Sequence, residues 1–155
     1  MKPALHTSFL SLADLYKINQ IVVQAEEWKS AVDEIARYIR PHFIFDNLVI
    51  YLLDPDSKHL ETAYARAMGR GKLAEADVSW GETVATQVCN SGQLKLIEPK
   101  EPSSTDRLKR PYILAVPLTR EQDILGTIAF VRFGSPPFTE EEIEFAQFLT
   151  GEISL

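Results

Sequence analysis

Apolar residues near the start of the chain recur at the spacing of a helix with two apolar faces. The first set follows alternating steps of four and three residues, the heptad period: Leu5, Phe9, Leu12, Tyr16, Asn19 and Val23. The second set forms another stripe on the same helix: Leu15, Ile18, Val22 and Ala25. One face can lie on the chain's own domain, so the other needs a partner. We therefore predict that residues 1–25 are a linker and dimerisation helix, with the polar Asn19 fixing its register.

The middle of the chain predicts one more long helix, one short helix and five strands. The long helix falls within residues 26–40 and ends before Pro41, because proline lacks the amide that a helix needs. Its apolar face comprises Val32, Ile35, Ala36 and Ile39. The short helix, Glu82–Asn90, follows a loop at residues 68–80 and is stopped by Gly92. The predicted strands are Leu48–Leu53, Leu60–Ala67, Leu94–Ile97, Tyr112–Leu118 and Ile124–Arg132.

The last helix carries the clearest start signal in the sequence. Thr139 can cap the first free amides while Glu142 reaches back, which is a capping box. Two apolar stripes are again predicted: Ile143, Ala146, Leu149 and Ile153 form one, and Phe145, Phe148 and Leu155 form the other. The last residues show neither a cap nor a helix breaker. We expect that this helix continues into a following domain and is truncated here.

Composition and charge exclude several classes of function. The chain is 45% hydrophobic and 25% charged, which is typical of a globular domain. Its net charge of −6 argues against nucleic-acid binding, because phosphate contacts need a cationic surface. The longest apolar run, Leu48–Leu53, is far shorter than the ~20 residues that span a bilayer. No signal peptide is recognisable, so we predict a cytoplasmic domain without a membrane span.

The order of the predicted elements, together with three segments, resembles the GAF domain from about Gln24 onward. The segments are Ile50–Asp54, then Ala115–Leu118 with Leu125, Gly126 and Ile128, and finally Pro137–Glu142. A PAS domain fits worse, because it opens with strands and not with a pair of helices. We therefore expect residues 26–155 to be a GAF domain.

The resemblance implies an α+β fold with a central antiparallel sheet of five or six strands. It places the N- and C-terminal helices on one face of that sheet, and a short helix with loops over a small-molecule pocket on the other. GAF domains sit upstream of histidine kinases, cyclases, phosphodiesterases and transcription activators, and their terminal helices commonly pair in parallel dimers. Because fold alone does not fix function, this remains an expectation.

No residue predicts catalysis or a cofactor. Photoreceptor GAF domains that carry bilin have a histidine beside the chromophore cysteine, whereas Asn90 follows Cys89 here. The methionine sulfoxide reductases of this fold need several cysteines, and Cys89 is the only one. Cyclic-nucleotide-binding members carry an asparagine–lysine pair and an aspartate–glutamate pair where this chain has Arg132–Phe133 and Glu142–Ile143. Cyclic nucleotide binding is therefore not supported. The three histidines lack metal-like spacing, so nothing supports bilin, haem or a metal, and the cofactor is unknown.

Basic residues on the two long loops suggest a weak anion-binding pattern. The segment Gly69–Lys72 lacks the longer glycine spacing and the Lys–Ser/Thr ending of a phosphate-binding P-loop. Together with Arg66, Arg107, Lys109 and Arg110 it could still gather an anionic ligand. The favoured interpretation is solvated loop charge.

The resemblance implies a pocket but does not say which residues line it, so we infer candidates from the faces of the predicted strands. The candidates are Tyr64, Arg66, Trp80, Cys89, Tyr112, Thr127 and Ala129. The small side chains of Thr127 and Ala129 would leave room for a ligand. Two alternatives stay open: either the pocket is open, or Trp80 and the tyrosines fill it.

We therefore hypothesise that the chain is a small-molecule-sensing GAF domain. The multidomain signalling protein to which it belongs would be a sensor histidine kinase. Its partners would be an unidentified small-molecule ligand, a second copy paired through the N- and C-terminal helices, and a covalently linked effector domain. The domain itself would not be an enzyme. The alternative is a structural dimerisation module that binds no ligand.

Overall fold

The computed structural model describes residues 11–67, 79–134 and 136–153, without the side chains of Ser79 and Trp80. The helices are α1 (Leu12–Gln24), α2 (Trp28–Ile39), α3 (Ser79–Ser91) and α4 (Glu140–Glu152). The strands are β1 (Asn47–Leu53), β2 (Leu60–Ala67), β3 (Lys95–Ile97), β4 (Pro111–Arg120) and β5 (Asp123–Phe133). Helices α1, α2 and α4 belong to one compact unit, and the sheet with α3 forms the other. The predicted α+β class is confirmed, with five strands in one antiparallel sheet.

Helix α1 has one buried and one exposed apolar face, as its two stripes predict. A capping box between Ser11 and Asp14 starts the helix, because each satisfies a free amide of the other. Ile18 and Ile21 are buried. The heptad stripe is solvent-exposed in its described part, which comprises Leu12, Tyr16, Asn19 and Val23. Leu5 and Phe9 lie outside the described residues.

A hydrogen bond ties the start of α1 to the end of α2. The Tyr38 hydroxyl donates to a carboxylate oxygen of Asp14 at 2.6 Å. This bond, and those that Ser11 donates, lower the pKa of Asp14 below its usual value, because they favour the charged carboxylate. The same bond raises the pKa of Tyr38, since ionisation would remove its donor. The N-cap of α1 is therefore held by α2 as well as by its own side chains.

Helix α2 lies within its predicted range and α4 begins at its predicted start signal, but α4 buries its residues differently from the prediction. The predicted face of α2 is buried throughout: Val32, Ile35, Ala36 and Ile39. The capping box of Thr139 and Glu142 is present, with bonds of 2.9 and 3.1 Å. Of the residues that α4 buries, Ala146 and Leu149 come from one predicted stripe, Phe145 comes from the other, and Thr150 comes from neither. Phe145 packs edge-on against Phe43 at 5.5 Å, so the core of this unit selects a face between the two stripes.

The sheet has the strand order β2-β1-β5-β4-β3 and is antiparallel throughout. The central strand, β5, is nearly all buried, and β1 and β4 flank it. A bulge in the β1–β2 pairing at Ile50 and Tyr51 shifts the register by one residue. The strands match their predicted ranges to within two residues at each end.

The outer edge of the sheet at β4 is only partly covered. Strand β3 has three residues and pairs with Ile113, Leu114 and Ala115 alone. Beyond them, among the described residues, the outer edge of β4 has no strand partner as far as Arg120. Pro117 lies in this stretch, where its missing amide costs the sheet no hydrogen bond.

Helix α3 lies on one face of the sheet and packs against β4 and β5. It begins at Ser79, three residues before the predicted start, and Gly81 lies inside it. Glycine is a poor helix former, which is why the sequence suggests a later start. Gly92 ends the helix with φ +70°, and its amide donates to the Val88 carbonyl.

The described helices are α1 to α4, and none of them is long and apolar enough to cross a membrane.

Candidate functional site

The register of the sheet divides the five predicted pocket residues that lie on strands between two faces. Cα partners in neighbouring strands share a face, and Ala129 pairs with Val49 and Ala115. Those partners belong to the buried cluster that includes Ala85 and Val88 of α3. Tyr64 and Arg66 on β2, and Tyr112 on β4, belong to the opposite face. Tyr64, Arg66 and Tyr112 therefore do not share a face of the sheet with Thr127 and Ala129.

On the α3 side, the structure brings together Cys89, Thr127 and the backbone of Ala85. The Thr127 hydroxyl donates to the Ala85 carbonyl at 3.2 Å and lies 3.3 Å from Cys89 Sγ. A hydroxyl has one hydrogen and a carbonyl can only accept, so the Cys89 thiol is left as the donor to Thr127. A donating thiol keeps its proton, whereas the nucleophilic species is the thiolate. This geometry suits a structural cysteine.

Small residues bring α3 very close to the sheet beside this group. A Cβ added to Gly81 would stand 3.1 Å from the Tyr51 hydroxyl oxygen and 3.2 Å from Ala129 Cβ. Tyr51 itself is 1% exposed, and Ala85 and Ala129 are fully buried. The small side chains of Thr127 and Ala129 allow α3 to pack closely on the sheet, and Tyr51 fills the space next to them. The Trp80 side chain lies outside the described residues.

We expect Thr127→Val to lower the free energy of unfolding by about 1 kcal/mol, because the substitution keeps the shape and removes the hydroxyl that joins α3 to β5. Denaturant unfolding would measure the change. Thr119→Val is the matched control, since Thr119 is an exposed residue of β4. Equal stability of the wild-type protein and Thr127→Val would show that this hydroxyl does not hold the helix.

On the opposite face, Tyr64 is buried and supports Arg66. The guanidinium carbon of Arg66 lies 5.1 Å from the centre of the Tyr64 ring, and its Nη1 donates to the Ala65 carbonyl. Tyr112 pairs with Arg132, which is also on this face. Arg132 is 3% exposed, lies 3.8 Å above the Phe138 ring and donates to the Pro136 carbonyl. Arg66 with Tyr64, and Arg132 with Phe138, thus form two cation–π pairs within the protein.

The basic residues that the sequence suggests as an anion-binding group do not all lie together. Arg107 lies in a 3-10 turn, Arg107–Lys109, where its Nη1 donates to Asp46 at 3.1 Å and to the Phe133 carbonyl at 3.0 Å. Arg110 Nη1 lies 3.4 Å from the Gly134 carbonyl. Arg66 stands on β2, separated from β5 by β1, so it is not part of this group. Residues 69–72 lie outside the described part of the chain.

The sequence alone does not single out Tyr51 and Gly81, which shape the contact between α3 and the sheet, or Asp46, which binds Arg107. Tyr51 reads as an ordinary strand residue, and only a glycine inside a helix hints at the close contact with Gly81. Asp46 accepts hydrogen bonds from the Phe133 amide at 2.7 Å and from Arg107, 61 residues away. No sequence signal joins positions so far apart. In the part of the chain that the structure describes, no cluster of His, Cys, Asp and Glu could hold a metal ion.

Comparison with known proteins identifies the family and the fold. The sequence model of the GAF domain matches residues 27–155. Comparison with curated proteins finds no match.

Solved structures of similar fold come from several bacteria. The GAF domain of an Acinetobacter phosphoenolpyruvate-protein phosphotransferase has a TM-score of 0.70 and 15% identity, over 95% of this chain and 92% of that one. The corresponding GAF domain from Coxiella burnetii has a TM-score of 0.67 and 17% identity, over 92% and 91%. The free methionine-R-sulfoxide reductase of Neisseria meningitidis, solved with its substrate, has a TM-score of 0.64 and 21% identity, over 97% and 92%. At these identities the likeness extends to the fold alone.

Proposed function

Because this chain belongs to the GAF domain family, a family of regulatory and sensory signalling domains, we propose that it is the sensory module of a multidomain signalling protein. The effector in this proposal is of the histidine kinase type, which comes from the family resemblance alone and from no residue of this chain. The module acts in the cytoplasm and has no catalytic role of its own. The single cysteine, held as a hydrogen-bond donor, supports this assignment.

The exposed stripe of α1 is the observation that supports the dimer in this proposal. Leu12, Tyr16 and Val23 are 83%, 65% and 73% exposed, while Ile18 on the other side of the helix is fully buried. Large apolar side chains at heptad spacing on one helix face favour pairing with a like helix. A second copy of the chain offers the same stripe, so the proposed partner is a homodimer through the terminal helices.

The small-molecule ligand of this proposal binds on the α3 side of the sheet, beside Cys89, Thr127 and Ala129. Helix α3 meets the sheet there through small residues, so few side chains have to move for the helix to lift. A ligand that favours the lifted arrangement shifts the population toward it. The shift changes how the terminal helices pair, and the linked effector responds.

The alternative function is a structural dimerisation module that binds no ligand. One observation favours it: Gly81, Tyr51 and Ala129 already fill the contact between α3 and the sheet. In that case the exposed stripe of α1 has the same role, and the site under α3 is part of the core.

Native mass spectrometry on freshly purified protein tests dimerisation. We expect a dimer, and we expect Val23→Glu to weaken self-association at least about tenfold, because a charge would be placed in an apolar seam. Gln24→Glu is the control, since it adds the same charge at an exposed neighbouring position outside the stripe. A wild-type monomer at all concentrations, or equal effects of the two substitutions, would contradict the dimer.

The same sample separates the two functions. A copurified small molecule, or an absorption band beyond that of the protein, favours the sensory module. A dimer without either, and without a thermal shift in a screen of nucleotides and small acids, favours the structural module, because only a real site stabilises by mass action.

A further inference from the structure

Two arginine side chains converge on the backbone of Gly134, immediately after β5. If Gly134 carried a Cβ, the nearest atoms to it would be Cγ of Arg107 and Nη2 of Arg110. Its φ of +74° also favours glycine. The Gly134 amide donates to the Arg110 carbonyl at 2.9 Å, which fixes the loop beside it. The absence of a side chain at this position lets both arginines lie against the end of the strand.

One carboxylate, that of Asp46, faces this pair. Its Oδ2 accepts from the Phe133 amide and from Arg107 Nη1, so it is held by two bonds. The side chain of Asp46 is 15% exposed, whereas that of Arg107 is 56% exposed. Every described hydrogen bond of the Arg107 side chain uses Nη1. The edge formed by Nε and Nη2 has no partner among the described residues, and this edge matches the two oxygens of a carboxylate or phosphate.

The neighbouring charges leave the site positive. The Nε of Arg110 is buried and has no hydrogen-bond partner in the described part of the chain. Lys109 is exposed and adds a third positive charge within four residues. Asp106, the nearest acidic residue in sequence, caps the 3-10 turn through the Leu108 amide and keeps its negative charge, so residues 106–110 carry three positive charges and one negative charge. A basic site of this kind stands out on a chain with a net charge of −6.

We propose that Arg107 and Arg110, with Lys109, bind the phosphate group of a small molecule. A phosphate dianion fits better than a carboxylate, because the positive charges of Arg107, Lys109 and Arg110 outnumber the negative charges of Asp46 and Asp106, and because phosphate offers an oxygen to each guanidinium. The site is independent of the proposed sensory function. Phe133 and Thr127 are six residues apart on β5, which places about 20 Å between the two sites.

Titration with inorganic phosphate, pyrophosphate, phenyl phosphate and acetate tests the site on the whole chain. Binding is followed at constant ionic strength by calorimetry and by the NMR signals of the arginine Nε–H groups. We expect a Kd of about 1 mM or tighter for pyrophosphate, and weaker binding of phosphate and then acetate. Phenyl phosphate binding more tightly than inorganic phosphate indicates a phosphorylated organic ligand, and the reverse order indicates the free ion. Equal response to phosphate, acetate and chloride overturns the proposal.

Three substitutions separate a built site from general surface charge. We expect Arg107→Gln to weaken pyrophosphate binding at least tenfold. Asp46→Asn should strengthen it severalfold, because asparagine still accepts from the Phe133 amide but no longer neutralises Arg107. Lys100→Gln, which removes an exposed lysine of the same loop, should leave binding unchanged.

Folding of each variant is verified by its NMR spectrum, and Arg107→Lys provides a milder change that keeps the charge. We expect Arg107→Lys to bind less tightly than the wild-type protein, because lysine lacks the two-pronged edge. If Arg107→Gln and Lys100→Gln reduce binding equally, the proposal is wrong.

Discussion

Replacing Tyr51 by alanine is expected to lower the free energy of unfolding by about 3–5 kcal/mol. The side chain is 1% exposed and lies in the buried cluster between the sheet and α3. Its removal leaves a cavity, because the surrounding strands and helix relax only in part. Urea unfolding followed by circular dichroism measures the loss. Tyr16→Ala is the matched control, since that tyrosine is 65% exposed and its loss should change stability by less than about 0.5 kcal/mol.

The same variant tests whether the α3 side of the sheet can accept a ligand at all. An apolar cavity of side-chain size can bind a small aromatic molecule. We expect p-cresol, which has the shape of the lost side chain, to raise the melting temperature of Tyr51→Ala and to leave the wild-type protein unchanged. Rescue would mean that α3 lets small molecules reach the sheet, as the sensory proposal requires. A cavity variant that p-cresol does not stabilise would favour the structural module.

Gly126→Ala is expected to cost about 3 kcal/mol or more. A Cβ at this position would overlap the carbonyl oxygen of Tyr51 and approach Cα of Leu52 to 3.0 Å. Both obstacles are backbone atoms of the neighbouring strand β1, which cannot rotate away as a side chain can. Thermal and denaturant unfolding would measure the loss, including failure to fold in the extreme case.

Gly151→Ala is the control for Gly126→Ala. No atom lies within 4 Å of a Cβ built there, and the residue is helical. Alanine is the better helix former, so this variant should gain up to about 1 kcal/mol. Equal effects of the two alanines would show that the close approach of β1 and β5 at Gly126 is not a constraint.

The elements of the fold could be predicted from the sequence, because each depends on residues close together in the chain. The capping box of Thr139 and Glu142 and the stop at Gly92 are both present as expected. The start of α3 was missed by three residues, since glycine usually argues against helix and here is required by the Tyr51 contact. Local rules fail where tertiary packing selects the residue.

The candidate site was harder to predict, because it depends on register. Alternation along one strand shows which of its residues share a face. It does not show which residues of the neighbouring strand lie on that same face. Tyr64 and Arg66 do share a face, as expected, yet the β1–β2 pairing puts them on the side away from Thr127. The pairing of Asp46 with Arg107 is likewise a product of the folded topology, since the two are 61 residues apart.

The short strand β3 and Pro117 have a consequence for how copies of this protein meet. An open strand edge with free amides can recruit the edge of another molecule and start a continuous intermolecular sheet. Past Ala115, Pro117 removes one amide from the exposed edge of β4, and the strand ends at the charged Arg120. Pairing of this edge with a strand of another molecule is thereby discouraged. The β3–β4 edge is therefore poorly suited to pairing with another sheet, whereas the exposed stripe of α1 offers the apolar surface on which the proposed self-association depends.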